Sequence, residues 1–500
     1  MTRREALQSL GAALAVPYLG QSGVQPNAES LSDIHKHVEG HYSDHLKALR
    51  TYIQRKSISS ENVGVRECAE MLVEDFGKLG CREAHLVETD GFPVAWGLYD
   101  VGAPRTLVVY SLYDVVHVVE KEWSSPPFEA RVVPMKGLGK AVVGRGAVNS
   151  KGPFRALLNA MESVIAIRKQ LPLNVAFVIE GEEELGSPHL PQFFAKQGNS
   201  LKGAHGCLTP GAGQNLQGNV VVSLGNRGLV YLELEASGSR MKRGPKKFDL
   251  SSYQQTIVES PVWRLVEALS TMTEKSGTRP RIEELNRAVA PLSNEDQDLV
   301  AALLTSFDPD KTWKQMFAVE EFADGLSGKA LLERQIFAPS LCIDGIWAGY
   351  TGPGVATLMP QKATAKLDYR LVPGQDFAKA VPAIKRHLAE NGFADIDVRV
   401  LSGYNWSRTS PKAQIVQSLV RTYRKAGFDP LMWPMGAAAN PSYLFTEPPL
   451  SIPKIGGGLG HGARQHSVDE YLVVEGEGRI AGLVEAEKFY VDFLYDFARS

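Results

Sequence analysis

The segment Ile179-Glu-Gly-Glu-Glu-Glu-Leu-Gly-Ser187 crowds carboxylates at the end of an apolar run. Adjacent carboxylates repel unless a cation neutralises them or one keeps its proton, which makes this a candidate for metal binding or proton transfer. A solvated acidic turn at a helix N-terminus is the competing interpretation. A second acid, Asp114, closes the apolar stretch Thr106-Leu-Val-Val-Tyr-Ser-Leu-Tyr-Asp-Val-Val-His117. Ligands of open α/β sheets gather at the carboxyl ends of strands, although an isolated Asp there also serves as a turn or helix cap. The loop Gly144-Arg-Gly-Ala-Val-Asn-Ser-Lys-Gly152 opens a helical pattern, and its glycines suit either an anion or a tight turn. Late in the chain, Gly456-Gly-Gly-Leu-Gly-His-Gly-Ala-Arg-Gln-His466-Ser-Val-Asp-Glu470 carries two histidines on a glycine loop, where an imidazole is a candidate ligand.

Positioning these residues requires strands that end where the motifs begin. Short apolar runs at His85–Val87, Val94–Leu98, Thr106–Ser111 and Leu173–Ile179 have the length of strands buried on both faces. Helical periodicity covers Leu31 to Gln54, Val65 to Leu79 (stopped by Gly80) and Ala156 to Ile167. Strands alternating with helices predict an α/β sheet with covered faces. After Gly228 the pattern changes to an alternating strand, Leu229–Glu235, a basic loop, a helix at Pro261–Met272, a strand at Ala363–Leu371, a helix at Phe377–Glu390 and a strand at Asp395–Leu401. That reads as a module inserted between two halves of a larger domain.

The chain of 500 residues, 44% hydrophobic and 22% charged, is too long for one core and implies two domains. A net charge of -2 gives no reason to expect nucleic acid, and the basic stretch from Arg240 to Lys247 is short enough to be a solvated loop. Cys68, Cys81, Cys207 and Cys342 form no CxxC pair, which argues against a zinc ribbon or a redox site. No apolar run beyond the N-terminal segment reaches the roughly 20 residues that cross a bilayer. Thr2-Arg3-Arg4 followed by the mildly apolar Leu10–Leu19 predicts a twin-arginine export signal and a periplasmic protein; without a signal the protein stays cytoplasmic.

Together, in this order, the motifs resemble those of co-catalytic di-zinc metallopeptidases (aminoacylases, carnosine dipeptidases, acetylornithine deacetylases, succinyl-diaminopimelate desuccinylases) from about residue 35 to the end. The resemblance implies a zinc-exopeptidase-like α/β catalytic domain with an inserted α+β lid and dimerisation domain. The expected boundaries are 1–30 for signal and linker, 31–227 and 403–500 for the two catalytic halves, and 228–402 for the lid. It also implies that Glu183 is the general base, that Asp114 orients a metal-binding histidine, and that Arg370 faces a substrate carboxylate. A salt-bridged strand arginine is the alternative for Arg370.

Here the chain departs from the family's ligand set. The first metal's histidine position reads Leu112, the bridging aspartate reads Asn149, and no acid occurs between Cys207 and Arg227. Leucine has no lone pair and asparagine no charge, so the first site is lost. Glu184 and His466 remain, with Asn149 as a neutral third group, for at most one weakly held zinc. His117 and His461 fall at no family ligand position, and the lid histidine that polarises the scissile carbonyl is missing. Glycine-loop recognition is altered too, reading Gly436-Ala-Ala-Ala-Asn440.

Three readings follow. One is a single-metal hydrolase of a peptide or N-acyl amino acid. Another is metal-free acid/base chemistry by Glu183 on an amino-acid-like ligand. The third is a catalytically silent binding protein that keeps the cleft. The best supported is an enzyme with one metal or none; a homodimer built through the lid is the expected assembly.

Overall fold

The computed structural model describes residues 30–500, apart from the side chains of residues 437 and 438. The twin-arginine stretch lies outside the described residues. A six-stranded sheet runs Glu83–Val87, Val94–Tyr99, Asn174–Glu180, Thr106–Leu112, Gly206–Pro210, Lys454–Gly457 across its width. Its last four strands are mutually parallel and the first two antiparallel. Continuous apolar runs form the inner strands because helices cover both faces: Val108, Val109, Val175 and Phe177 are all inaccessible. The run expected to be buried on both faces at His85–Val87 is instead part of the edge strand Glu83–Val87, where His85 is exposed and only Val87 is buried, because an edge strand has cover on one side alone. On one face the helices Val65–Leu79, Lys151–Arg168 and Leu483–Arg499 pack in a single core, where Phe76 stacks on Phe177 at 4.6 Å. Each such side chain contributes about 1.5–3 kcal/mol when fully buried.

Helix Val65–Leu79 ends at Gly80, whose φ of 95° is the left-handed cap that the sequence predicts. The expected single helix from Leu31 to Gln54 is two, Ser32–Gly40 and Tyr42–Gln54, interrupted at His41. The apolar phase continues across the break, so Ile34, Val38, Leu49 and Ile53 still enter one core.

A small antiparallel sheet of Gly462–Ala463, Tyr471–Gly476, Gly139–Val143 and Arg131–Met135 stands beside the main one. It brings the loops after Val143 and before Tyr471 together from positions more than 300 residues apart.

A second sheet has four antiparallel strands in the order Ser340–Ala348, Lys362–Leu371, Gly225–Ser237, Asp397–Tyr404, and the start of Gly225–Ser237 also pairs antiparallel with Ser407–Arg408 and parallel with Gly436–Ala439. Alternation along Gly225–Ser237 buries Val230, Leu232, Leu234 and Ala236 under the helices Pro261–Met272 and Phe377–Glu390, making a separate core. The strand expected over Asp395–Leu401 runs on to Tyr404, which carries that residue toward the acidic turn.

Candidate active site

The parallel pairing of Thr106–Leu112 with Asn174–Glu180 sets Leu112 beside Glu180, so both strand ends open on one cleft. Asp114 is completely buried, and its two oxygens accept the Glu183 N–H at 3.2 Å and the Glu184 N–H at 3.1 Å. It therefore clamps the acidic turn by its backbone, the capping role that a lone strand-end Asp suggests. Burial, then repulsion from Glu184, pushes its carboxyl up to about 7, with the two N–H donors opposing.

The carboxylates of the turn differ in their partners. Glu180 accepts from the Tyr110 hydroxyl and from Ser187 Oγ at 3.1 Å, and Glu182 meets His189 Nδ1 at 3.0 Å. Glu184 accepts from Asn149 Nδ2 at 2.7 Å and lies 3.0 Å from His466 Nε2; Asn149 Nδ2 is also 3.0 Å from that nitrogen. The hydrogen bond to Glu184 raises the His466 imidazole above its ordinary value. Of the turn's four carboxylates, Glu183 alone makes no side-chain hydrogen bond among the described residues. Burial, then Glu184 and Asp114, pushes its carboxyl up to about 8 against the pull of His466 and Lys454.

Glu470 holds the opposite wall. This buried carboxylate accepts from Arg145 Nη1 at 2.7 Å and from the N–H groups of Gly146, Val148 and Asn149 at 3.1, 3.0 and 2.9 Å. It fixes the whole Gly144–Gly152 loop and so places Asn149. Sequence reasoning missed this role because nothing local distinguishes Glu470 from a solvated loop acid. The buried Lys454 and Tyr404 were missed as well: Lys454 pulls the Glu183 carboxyl down, and Glu183, after burial, helps to raise the Tyr404 phenol.

Other expected residues lie apart. His117 is exposed and pairs with Glu61, whereas His461 is buried between the Gln214 carbonyl and the Tyr471 hydroxyl. Neither joins the Glu184–His466 group. Arg370 is ion-paired with Asp368 two residues away on its own strand, at 3.1 Å and 3.2 Å. Its charge is felt by the buried Arg227, whose guanidinium burial lowers to about 10. Strand Gly206–Pro210, neighbour to Thr106–Leu112, ends in Thr209-Pro210-Gly211 without an acid. Among the described residues no group of three or more His, Cys, Asp or Glu side chains is arranged to hold a metal.

The model of peptidase family M20/M25/M40 matches residues 108–496, which contain every site residue above. The chain belongs to this family. Among M20 relatives, the Cys-Gly metallodipeptidase of Saccharomyces cerevisiae is 26% identical over 294 residues, covering 57% of this chain and 56% of that relative. The human Beta-Ala-His dipeptidase is 24% identical over 389 residues, 74% of this chain and 73% of its own. The M20 metallo-carboxypeptidase of Sulfolobus solfataricus superposes with a TM-score of 0.81 at 29% identity, over 91% of this chain and all of that one. These likenesses confirm the α/β M20 fold that the motifs predict.

Proposed function

We propose that this M20 chain acts on a short peptide, an N-acyl amino acid or another amino-acid-like ligand, with Glu183 as the acid/base and at most one metal ion. The observation that carries the reading is the contrast within the turn: every carboxylate but Glu183 is engaged, and Glu183 is poised near neutral pH. Support for the substrate class comes from the relatives, whose names describe dipeptidases and a carboxypeptidase. A catalytically silent binding protein is the alternative.

A two-zinc centre does not fit this donor set. Leu112 is buried and donorless, the Gly206–Pro210 strand end has no acid, and Asn149 cannot bridge as a carboxylate does. One divalent ion fits Glu184 and His466 if the Asn149 amide turns its oxygen inward, a half-turn that leaves the side chain's shape unchanged. Such an ion, when bound, would polarise a carbonyl and acidify water. The chain's own part is separate. Glu183 takes or gives the proton, Asp114 holds Glu183 and Glu184 by their backbone, and Glu470 holds Asn149 against Glu184. Arg370 can offer its guanidinium to a substrate carboxylate only by sharing it with Asp368.

We assign residues 228–402 as the lid, with 31–227 and 403–500 as the two halves of the site-bearing domain. Ile343, Ile346 and Trp347 are about half exposed on the edge strand Ser340–Ala348, which favours pairing of two lids in a homodimer. Among the described residues no helix is long and apolar enough to cross a membrane. Export through residues 1–30 is part of the proposal, tested by fusing them to a periplasm-dependent reporter.

Elemental analysis of protein purified without chelator decides the metal question. About one zinc per chain, lost in Glu184→Gln, supports the single-metal form. A folded protein that takes up no zinc while turning over dipeptides leaves Glu183 acting alone. Two tightly held zincs overturn the reading, and failure to turn over any dipeptide or N-acyl amino acid, with ligand-induced stabilisation, favours the binding protein.

A further inference from the structure

The strand Asp397–Tyr404 ends the lid sheet on one side. It pairs antiparallel with Gly225–Ser237, and among the described residues no strand pairs with its other edge. An open edge is a row of backbone donors and acceptors that another extended chain can take up. Here the pairing slips between Val400 and Ser402, which leaves two consecutive apolar side chains, Val400 and Leu401, 44% and 45% exposed.

This edge runs beside the acidic turn. Residues 400–404 line a cavity of about 210 Å³ together with Gly186 and Ser187 of the turn and with Tyr443 and Leu444. Because Val400 and Leu401 on its lid side are about half exposed, the cavity is open to solvent. Ser402 Oγ comes within 3.5 Å of the Gly186 carbonyl, and so close an approach needs a glycine: at φ 86°, a Cβ on Gly186 would lie 2.6 Å from that hydroxyl. The rings of Tyr404 and Tyr443 lie nearly parallel, at 10° with 6.5 Å between centres, and make an aromatic wall. Tyr404 also lies within the field of the candidate acid/base, since after burial the Glu183 charge does most to raise its phenol. Benzene fits an apolar cavity of about 150 Å³, so this one has room for an aromatic or branched aliphatic side chain.

We propose that this edge and this cavity bind one extended peptide, the edge of Asp397–Tyr404 pairing with its main chain and the cavity taking a large apolar side chain. Alternate side chains of an extended strand point to opposite faces, so one residue is anchored while its neighbours point away. The proposal rests on the reading that the cleft takes peptides, and it narrows the ligand to peptides that carry a Phe-, Tyr- or Leu-like residue. An N-acyl amino acid offers only a single amide to such an edge.

The test measures binding of Gly-Gly-Gly, Phe-Gly-Gly, Gly-Phe-Gly and Gly-Gly-Phe to the full chain carrying Glu183→Gln by calorimetry, and turnover of the same peptides by the parent chain. Expected is a Phe peptide bound at least about tenfold more tightly than Gly-Gly-Gly, with the advantage lost when Leu444→Trp fills the cavity. Methylating that peptide at each amide nitrogen in turn should weaken at least one analogue about threefold or more, because a main-chain donor is gone. The methylated peptides need no change in the cavity, so they decide the matter even where Leu444→Trp disturbs folding. Equal binding of the four peptides, or binding of none, overturns the proposal, as do methylated analogues that all bind like the parent peptide. A dimer in gel filtration that becomes a monomer in Leu401→Lys gives the edge to a second copy and overturns it too. Peptide turnover without preference for Phe removes this subsite and keeps Glu183 as the acid/base. Preferential binding by a chain that turns over no peptide keeps the subsite and removes the Glu183 reading.

Discussion

The two walls of the cleft each carry a carboxylate, and they are built on opposite terms. On the glycine-loop wall Glu470 receives four hydrogen bonds, one of them from the guanidinium of Arg145, itself 3% exposed. On the acidic-turn wall the Glu183 side chain receives none among the described residues. Burial lifts the Glu470 carboxyl too, but the Asn149 amide and Arg145 pull it back part of the way, whereas Glu183 has repulsive carboxylates as its strongest neighbours. A fully paired buried charge holds loops together; an unpaired one is held by the rest of the fold and is free to exchange a proton. On the proposed function the first wall is structural and the second reactive.

Removing each carboxylate should separate the two roles. Glu183→Gln is expected to lower peptide turnover by about two to four orders of magnitude, the range for loss of a general acid/base, without loss of thermal stability. Turnover unchanged in this variant would sink the assignment. Glu470→Ala should do the reverse first: it orphans a buried guanidinium and three loop N–H groups, at a cost of about 3–5 kcal/mol in denaturant unfolding. Equal stability of Glu470→Ala and the parent chain would show that the loop is held by something else.

The pH dependence sharpens the same contrast. Glu183 and Asp114 have carboxyls pushed up to about 8 and about 7, against 4.5 and 3.8 for the free side chains. Between those values the folded chain keeps protons that the unfolded chain releases. Their stabilisation is thus complete below about pH 4 and is lost as pH rises through 7 to 8, at roughly 1.4 kcal/mol per pH unit for each proton. Glu183→Gln should flatten that slope by its own share, which unfolding curves from pH 5 to 8.5 would read. As a base Glu183 must lose its proton, so turnover should climb over the same window. An acid optimum with no alkaline rise contradicts a base of this kind.

The reactive wall was more legible in the sequence than the structural one. Run lengths located the strands because buried parallel strands are continuously apolar, and the crowded acids at 180–184 announce themselves by their mutual repulsion. Gly80 ended its helix where a left-handed cap was needed. Glu470 carried no such sign, since its partners Arg145 and Asn149 lie more than 300 residues away and meet it only through the small antiparallel sheet. Lys454 was invisible for the same reason: a lysine in Ser451-Ile-Pro-Lys-Ile-Gly456 reads as solvated until the sheet closes over it. His41 broke a helix without breaking its apolar phase, and phase is all that periodicity measures. Arg370 illustrates the converse, a residue singled out for a ligand that the structure ties to Asp368.

Asn149 sits where the two walls touch, its N–H on Glu470 and its side-chain amide on Glu184, so it offers the finest test of the difference between them. In Asn149→Asp the backbone bond to Glu470 survives while the 2.7 Å bond to Glu184 becomes a contact between two carboxylates. Metal-free protein should lose about 1 kcal/mol, the net worth of one hydrogen bond with some added repulsion. Added zinc should then restore more than that loss, because two carboxylates and His466 now face one ion and any ligand bound only by the folded state stabilises it. Thermal melts of both proteins, stripped of metal and then titrated with zinc, read the effect. If zinc shifts neither Asn149→Asp nor the parent chain, the Glu184–His466 corner cannot hold a metal even with its charge restored, and the reactive wall works through Glu183 alone.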